Sequence, residues 1–385
     1  MIDQKIQNHR FFGGDHYLRK VKQSSTVSLL DESTNQMKMK MKIFLFLICS
    51  LLVTCAEVSE KKSEQISSEL ITKKTNNETK KLYSFLKDNF GENIISGQQD
   101  LTWLDSVDMS KRVFALTGKY PALMGYDFMN YYRANIDHGS GLSQVEEAIE
   151  WHKKGGIVTF CWHWRDPSLK TEAFYTKDTD FRINLVDSLN KAQLIRDIDL
   201  ISTELKKLQD AGVPVLWRPL HEASGAWFWW GANGAESSIA LWKLMVERMR
   251  DYHKLSNLIW VHNGQHPDWY PGDEWVDIIG EDIYAKVDSV SGPDYSSQLK
   301  RFERAKIPLK SNKIIALTEN GIIPNVDEML KDKALWSWFC TWNDGPDLQN
   351  PKNFFSGTWW NSHEHKKALF HHKNVLTLDN LNRNY

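Results

Sequence analysis

The chain has no surplus of either charge. Its 385 residues carry 48 Lys and Arg against 49 Asp and Glu, a net charge of −1. Nucleic-acid phosphates need a basic face, so this balance argues against a nucleic-acid partner. Cysteine is scarce, with four residues: Cys49, Cys55, Cys161 and Cys340. Cys161 and Cys340 show neither a CxxC pattern nor ligand spacing. Both lie in apolar runs and are expected as buried thiols; the sequence leaves open whether they pair. His363, His365, His371 and His372 crowd the C-terminal end without acidic partners at ligand spacing. They are expected on the solvated face of a terminal helix, and neither a metal nor a cofactor is expected. There is no internal repeat, and no low-complexity tract outside residues 56–79. The apolar run Ile43 to Val53 is too short to span a bilayer comfortably.

That run instead fits a leader. Lys38, Lys40 and Lys42 form a charged segment ahead of it. Leu52-Val53-Thr54-Cys55 closes it and resembles a bacterial lipobox, although Thr54 stands where Gly, Ala or Ser is usual. The expected organisation is an unstructured upstream extension over 1–36, a lipoprotein signal peptide over 37–55, a polar flexible linker over 56–79 and a catalytic domain over 80–385. Translation would then start at Met37, Met39 or Met41. A plain secretory signal is the alternative. The lipobox reading implies secretion across an inner membrane and outer-membrane anchoring through a lipid on Cys55, facing the periplasm or the cell surface.

From Lys80 onward short apolar runs alternate with amphipathic stretches. Eight strands are expected: Asn93 to Ser96, Ala122 to Tyr126, Ile157 to Trp162, Val213 to Arg218, Leu258 to His262, Val276 to Glu281, Ile314 to Thr318 and Leu335 to Thr341. Continuous apolar runs suit parallel strands covered on both faces. Helices are expected at Gly141 to Lys154, Asn190 to Ala211, Ser237 to Leu255, Ser296 to Lys306 and Val326 to Lys333. Leu194, Ile198, Ile201, Leu205 and Leu208 keep helical spacing and predict a buried stripe. The fold class is therefore α/β, a single (β/α)8 TIM barrel. A doubly wound open sheet would show a Gly-rich phosphate loop after its first strand, and Ser96-Gly97-Gln98-Gln99-Asp100 is not one.

In such a barrel the polar strand ends carry the chemistry. Two runs end on glutamates, Glu222 and Glu319, each followed by a Gly-containing loop. A carboxylate at the end of a buried strand is costly unless used or paired. Together they suggest glycosidic-bond cleavage, in which positive charge builds at the anomeric carbon. A retaining enzyme needs a protonated carboxyl and an ionised carboxylate ~5–5.5 Å apart. Glu222 is assigned as acid/base, its pKa raised beside Trp227, Phe228, Trp229 and Trp230. Glu319 is assigned as nucleophile, held ionised by donors such as Arg218 and Tyr284. The plainer alternatives are a rim salt bridge from Glu222 to Arg218 and a loop or capping carboxylate at Glu319. The 17 Trp suit flat sugar faces as well as a large core.

The segment Arg218-Pro219-Leu220-His221-Glu222, followed by Gly225, Trp227, Phe228, Trp229, Trp230 and Gly231, closely resembles the acid/base segment of glycoside hydrolase family 26, the β-mannanase family. Thr318-Glu319-Asn320-Gly321 resembles its nucleophile segment. Tyr270-Pro271-Gly272-Asp273 with Val276-Asp277, Gly280 and Tyr284 resembles its sixth-strand signature, and the resemblance runs from about Lys80 to the end. It implies substrate-binding roles for His163, His221, Trp227, Asp277, Tyr284 and Trp342. Asn343 departs from the Arg found in some relatives. The resemblance implies a monomeric, retaining enzyme cleaving β-1,4-mannosidic linkages in mannan, galactomannan or glucomannan. The alternatives are mixed-linkage β-glucan or β-1,3-xylan, release of mannobiose from chain ends, or a surface lipoprotein that only captures glycan.

Overall fold

The computed structural model describes residues 66, 67, 69–102, 104, 107–132 and 142–381. The expected extension, signal peptide and first part of the linker, with Cys49 and Cys55, lie outside the described residues.

Eight parallel strands close a barrel. They are β1 (Gly97–Gln99), β2 (Leu123–Asp127), β3 (Ile157–Cys161), β4 (Val215–Arg218), β5 (Leu258–His262), β6 (Ile278–Ile283), β7 (Ile314–Asn320) and β8 (Phe339–Thr341). Each pairs with its sequence neighbours, and β8 returns to β1. The helices are α1 (Asn77–Asn89), α2 (Met109–Thr117), α3 (Gln144–Lys153), α4 (Ser188–Asp210), α5 (Ala235–Glu247), α6 (Leu299–Lys306), α7 (Val326–Lys331) and α8 (His363–Phe370). The order is the (β/α)8 barrel that the sequence predicts.

The strands alternate between two layers. Val158, Phe160, Val215, Trp217, Leu258 and Trp260 face outward into the core shared with the helices, where the stripe Leu194, Ile198, Ile201, Leu205 and Leu208 is buried. Leu123, Ile157, Leu216, Ile259, Ile278 and Ile314 form a second cluster with Leu82, Tyr83 and Leu86 of α1. Ile157, Ile278 and Ile314 begin their strands, so α1 plugs the N-terminal mouth of the barrel. The opposite mouth is left to the chemistry. Cys161 and Cys340 are buried and unpaired.

Several boundaries differ from the sequence reading. Ile94–Ile95 pairs in parallel with Val375–Leu376 outside the barrel, and the barrel strand is the polar stretch Gly97–Gln99. Gly97 allows this, because a Cβ there would sit 2.3 Å from the Phe339 carbonyl oxygen. Strand β6 starts and ends two residues later than expected. The last strand is only Phe339–Thr341, at the end of the run expected from Leu335. Packing also begins before Lys80: Leu70, Thr72, Thr75 and Thr79 are buried, and Asn76 caps α1 by accepting from the Thr79 N–H. Ser- and Thr-rich composition reads as solvated tether, yet these small side chains fit beneath α1 beside the barrel floor. On α8, His365 bonds the Ile323 carbonyl and stacks on Tyr295, so the histidine cluster is partly used in packing rather than wholly solvated.

Candidate active site

The nucleophile candidate reaches the site through an irregularity in β7. Residues Ala316 and Leu317 alternate inward and outward. Regular alternation would then turn Glu319 outward. Instead the register against β6 shifts between Leu317 and Glu319, so that Leu317 opposes Glu281 while Glu319 opposes Asp282. The extra residue, Thr318, donates its hydroxyl to Asp282 at 2.7 Å. A bulge of this kind re-aims the following side chain, and Glu319 points into the barrel mouth.

Arg218, the last residue of β4, is buried between two acids. It donates to Asp282 Oδ2 at 2.6 Å and to Glu319 Oε2 at 2.8 Å. The Tyr284 hydroxyl donates to the other oxygen, Glu319 Oε1, at 2.5 Å. Asn263 donates to Asp282 Oδ1 at 2.7 Å. Glu319 thus has a donor on each oxygen, which fixes its orientation.

Glu222 stands across from it on a strained turn. Leu220 and Glu222 both take positive φ, 52° and 56°, a region that costs a non-glycine residue energy. The turn persists because the Glu222 N–H is held by the backbone and side-chain oxygens of Asn263, at 2.8 and 3.0 Å. The Trp227 indole donates to Glu222 Oε2 at 2.9 Å. Burial, then the charge of Glu319, raises the Glu222 pKa, against the weaker pull of Trp227 and Arg218. The nearest carboxyl oxygens of Glu222, Asp282 and Glu319 lie within 4.8 Å of one another. Three acids here share the single guanidinium of Arg218, so a proton is favoured on one of them. Burial raises the Asp282 pKa well above the usual carboxylate range too, but both Asp282 oxygens already accept from Arg218, Asn263 and Thr318, so Glu222, which lacks an ionic partner, is the natural holder.

A second chain of contacts backs the acid. His163 Nδ1 lies 2.5 Å from Asp127 Oδ2, and its Nε2 lies 3.3 Å from His221 Nε2. Burial works against a charged His163, but the Asp127 carboxylate outweighs it and raises the pKa. Burial, then His163, holds His221 well below the usual histidine range. The two directions favour His163 as the donor of the pair and His221 as its acceptor. Phe228 packs against both imidazoles, and Trp342 lies edge-on to His163 at 5.8 Å.

The structure thus brings together Glu222, Glu319, His163, His221, Trp227, Tyr284 and Trp342. It does not bring Asp277. That residue precedes β6 at the closed end of the barrel, where its oxygens accept from the Ile71 and Trp260 N–H groups at 2.7 and 2.8 Å. Its expected binding role gives way to a structural one, tying the N-terminal segment to the barrel floor. Asp282 is the acid of this strand that enters the site; it follows the outward Glu281 by one residue, and alternation is the signal that finds it. The aromatic wall also shrinks. Trp227 is 47% exposed, but Trp229 and Trp230 are 0% exposed and fill the core. Its missing panel is Tyr175 from the loop between β3 and α4, stacked on Phe228 and hooked on by the Thr176 N–H to the Trp227 carbonyl at 2.7 Å.

Two groups of side chains bring metal-ligating atoms together among the described residues: Glu222 with Asp282 and Glu319, and Asp127 with Cys161 and His163. In the first, Arg218 already supplies the cation. In the second, burial pushes the Cys161 thiol up and keeps it protonated, whereas a ligand must be thiolate.

Residues 71–380 match the model of glycosyl hydrolase family 26. A mannan endo-1,4-β-mannosidase of Thermothelomyces thermophilus is 37% identical over 365 residues, covering 92% of this chain and 71% of the relative. Mannan endo-1,4-β-mannosidase A of a Piromyces species is 36% identical over 83% of this chain, which spans 51% of that longer protein. Among solved structures, a β-mannanase from a symbiotic protist of the termite Reticulitermes speratus, complexed with gluco-manno-oligosaccharide, superposes with a TM-score of 0.74 at 37% identity, covering 83% of this chain and 99% of that one. The Podospora anserina β-(1,4)-mannanase joined to a CBM35 module gives 0.73 at 38% identity, over 82% and 69%. With a catalytic-end cluster built on two barrel glutamates and a family match over almost all the described residues, the chain belongs to glycosyl hydrolase family 26.

Proposed function

We propose that the protein hydrolyses β-1,4-mannosidic linkages within mannan-type polysaccharides by a double displacement that retains configuration. The carrying observation is the closeness of Glu222 and Glu319, whose nearest oxygens lie within 4.8 Å. Inverting enzymes keep their carboxyls roughly 6.5–9.5 Å apart to admit a water. Here Glu319 attacks the anomeric carbon while Glu222 passes its proton to the departing glycosidic oxygen. The C–O bond to the leaving sugar breaks and a glycosyl ester forms on Glu319. Glu222, now ionised, takes a proton from water, which displaces Glu319 and regenerates both groups. Tyr284 and Arg218 hold the nucleophile against rotation. The substrate class is drawn from the relatives, named mannan endo-1,4-β-mannosidases.

The test is a product screen on galactomannan, glucomannan, lichenan and xylan, followed by chromatography and by NMR of the first-formed anomer. Mannan-type polymers should yield mixed β-configured oligosaccharides. Cleavage confined to lichenan or xylan, or an α-anomer formed first, would overturn the assignment.

Glu222→Ala separates the two roles. It should slow hydrolysis of mannan by roughly 10²–10⁴-fold, the usual worth of a positioned acid. Substrates with activated aryl leaving groups should suffer far less in the glycosylation step. Because the Glu222 pKa is raised, the wild type should keep its acid form above the ordinary glutamate range, and kcat/KM should fall only as pH rises through it. That basic limb should vanish in Glu222→Ala assayed on aryl substrates. Equal losses on both substrate types would remove Glu222 from proton donation.

A further inference from the structure

Asn263 directly follows β5 and is fully buried. Its side chain bonds to neither catalytic carboxylate, yet every polar group it has is engaged with the segments that carry them. Its Nδ2 donates to Asp282 Oδ1 at 2.7 Å and to the Thr318 hydroxyl at 2.8 Å. Its Oδ1 accepts the Glu222 N–H at 3.0 Å, beside its own main-chain carbonyl at 2.8 Å. A primary amide offers two N–H donors and one oxygen. Here both donors go one way and the oxygen goes the other, so the amide holds this place in a single orientation.

Its partners are the points on which the site geometry depends. The Glu222 N–H belongs to the turn where Leu220 and Glu222 take positive φ. Such backbone persists only where its surroundings over-determine it. Thr318 is the extra residue of the β7 bulge, which aims Glu319 into the mouth. Asp282 shares the Arg218 guanidinium with Glu319. The barrel order is β4, β5, β6, β7, so the acid and the nucleophile rise from strands with two others between them. From the end of β5 the amide reaches back to the turn after β4, and forward to Asp282 of β6 and Thr318 of β7. One side chain spans the whole gap.

We propose that Asn263 is a positioning residue that sets the spacing of the two catalytic glutamates, by tying the strained turn of Glu222 to the bulge that precedes Glu319. The inference rests on the glycosidase reading above. A double displacement needs its two carboxyls at a narrow separation on either side of the scissile bond. A misplacement of about 1 Å can cost roughly 10²-fold in rate. Asn263 acts through the Glu222 backbone and the Thr318 hydroxyl, not on the reacting atoms or on the sugar.

Asn263→Ala should lower kcat on galactomannan about 10²-fold and leave KM nearly unchanged, since sugar binding does not use the amide. The discriminating measurement is a double-mutant cycle with Glu222→Ala. In the Glu222→Ala background one of the two groups that the amide positions is already gone. Asn263→Ala should then cost only about tenfold more, a coupling within the range of groups that act together. A residue that merely supports the fold costs the same in both backgrounds. Thr318→Val removes the hydroxyl at the far end of the tie and leaves Asn263 in place. It should lower kcat/KM for activated aryl β-mannosides, whose glycosylation step needs the nucleophile more than the acid, and it carries the test alone if Asn263→Ala does not fold. Equal costs of Asn263→Ala in the two backgrounds, or Thr318→Val with wild-type kcat/KM, overturns the tie. A wild type that cleaves no mannan overturns the function itself, so the two failures are distinguishable.

Discussion

Glu319→Ala is expected to lower kcat on mannan by roughly 10⁴-fold or more, the scale seen when a covalent nucleophile is removed. The geometry also says what should bring activity back. Without the carboxylate, the Arg218 guanidinium and the Tyr284 hydroxyl, which donate to its two oxygens at 2.8 and 2.5 Å, face an empty space without acceptors. A small anion fits that charge and those donors. Azide should enter, attack the anomeric carbon from the face that Glu319 used, and give an α-glycosyl azide from an activated β-mannoside. Glu319→Gln should be less open to rescue, because its amide fills the space and presents an N–H to one of the two donors. Full residual turnover in Glu319→Ala, or a β-configured azide, would remove Glu319 from the role.

This outcome depends on a feature that hydrophobic patterning does not reveal. The run Ile314 to Leu317 announces a strand and locates Glu319 at its end, but simple alternation would aim that side chain at α-helical packing. The register shift against β6 corrects the aim. Glu222 was legible for a simpler reason: it follows a short apolar run, and its turn is marked by the aromatic and glycine residues around it. Where polar residues lie within a strand, the pattern misleads. Val276-Asp277 opens an apolar stretch that reads as strand, and the binding role of Asp277 comes from the family resemblance alone; the strand starts at Ile278 and carries Glu281 and Asp282 inside it. Gly97-Gln98-Gln99 forms a barrel strand for the same reason unseen, its amides facing an interior that composition cannot show. The tryptophans make the opposite error. Trp227, Trp229 and Trp230 have the same chemistry in the sequence, but only the first is left to solvent, because the turn after Glu222 swings the other two beneath it. Long-range partners were the least legible part. Tyr175 meets Phe228, and Thr176 the Ala226 carbonyl, on a loop about 50 positions later, and nothing local encodes that meeting.

Arg218→Met should be the most damaging change that leaves both catalytic glutamates in place. Arg218 is 3% exposed and lies between Asp282 and Glu319, which are 3% and 6% exposed. Removing one partner of a buried pair strands the other charge and costs about 3–5 kcal/mol. A drop of roughly 4–8 °C in the thermal midpoint would correspond in a chain of this size. The loss has a pH signature. Burial already raises the Asp282 pKa against the pull of Arg218; without the guanidinium it rises further. Groups shifted that way destabilise the fold when ionised, so the variant should be least stable at neutral pH and recover as pH falls and Asp282 takes up a proton. The rate should fall as well, because Arg218 no longer holds Glu319 Oε2 in place for attack. Lys at this position restores a charge but not two divergent N–H donors, and should recover stability more than rate. A midpoint within about 2 °C of the wild type, with kcat/KM unchanged, would mean that the carboxylates have another counter-charge and that Arg218 does not hold the nucleophile in place.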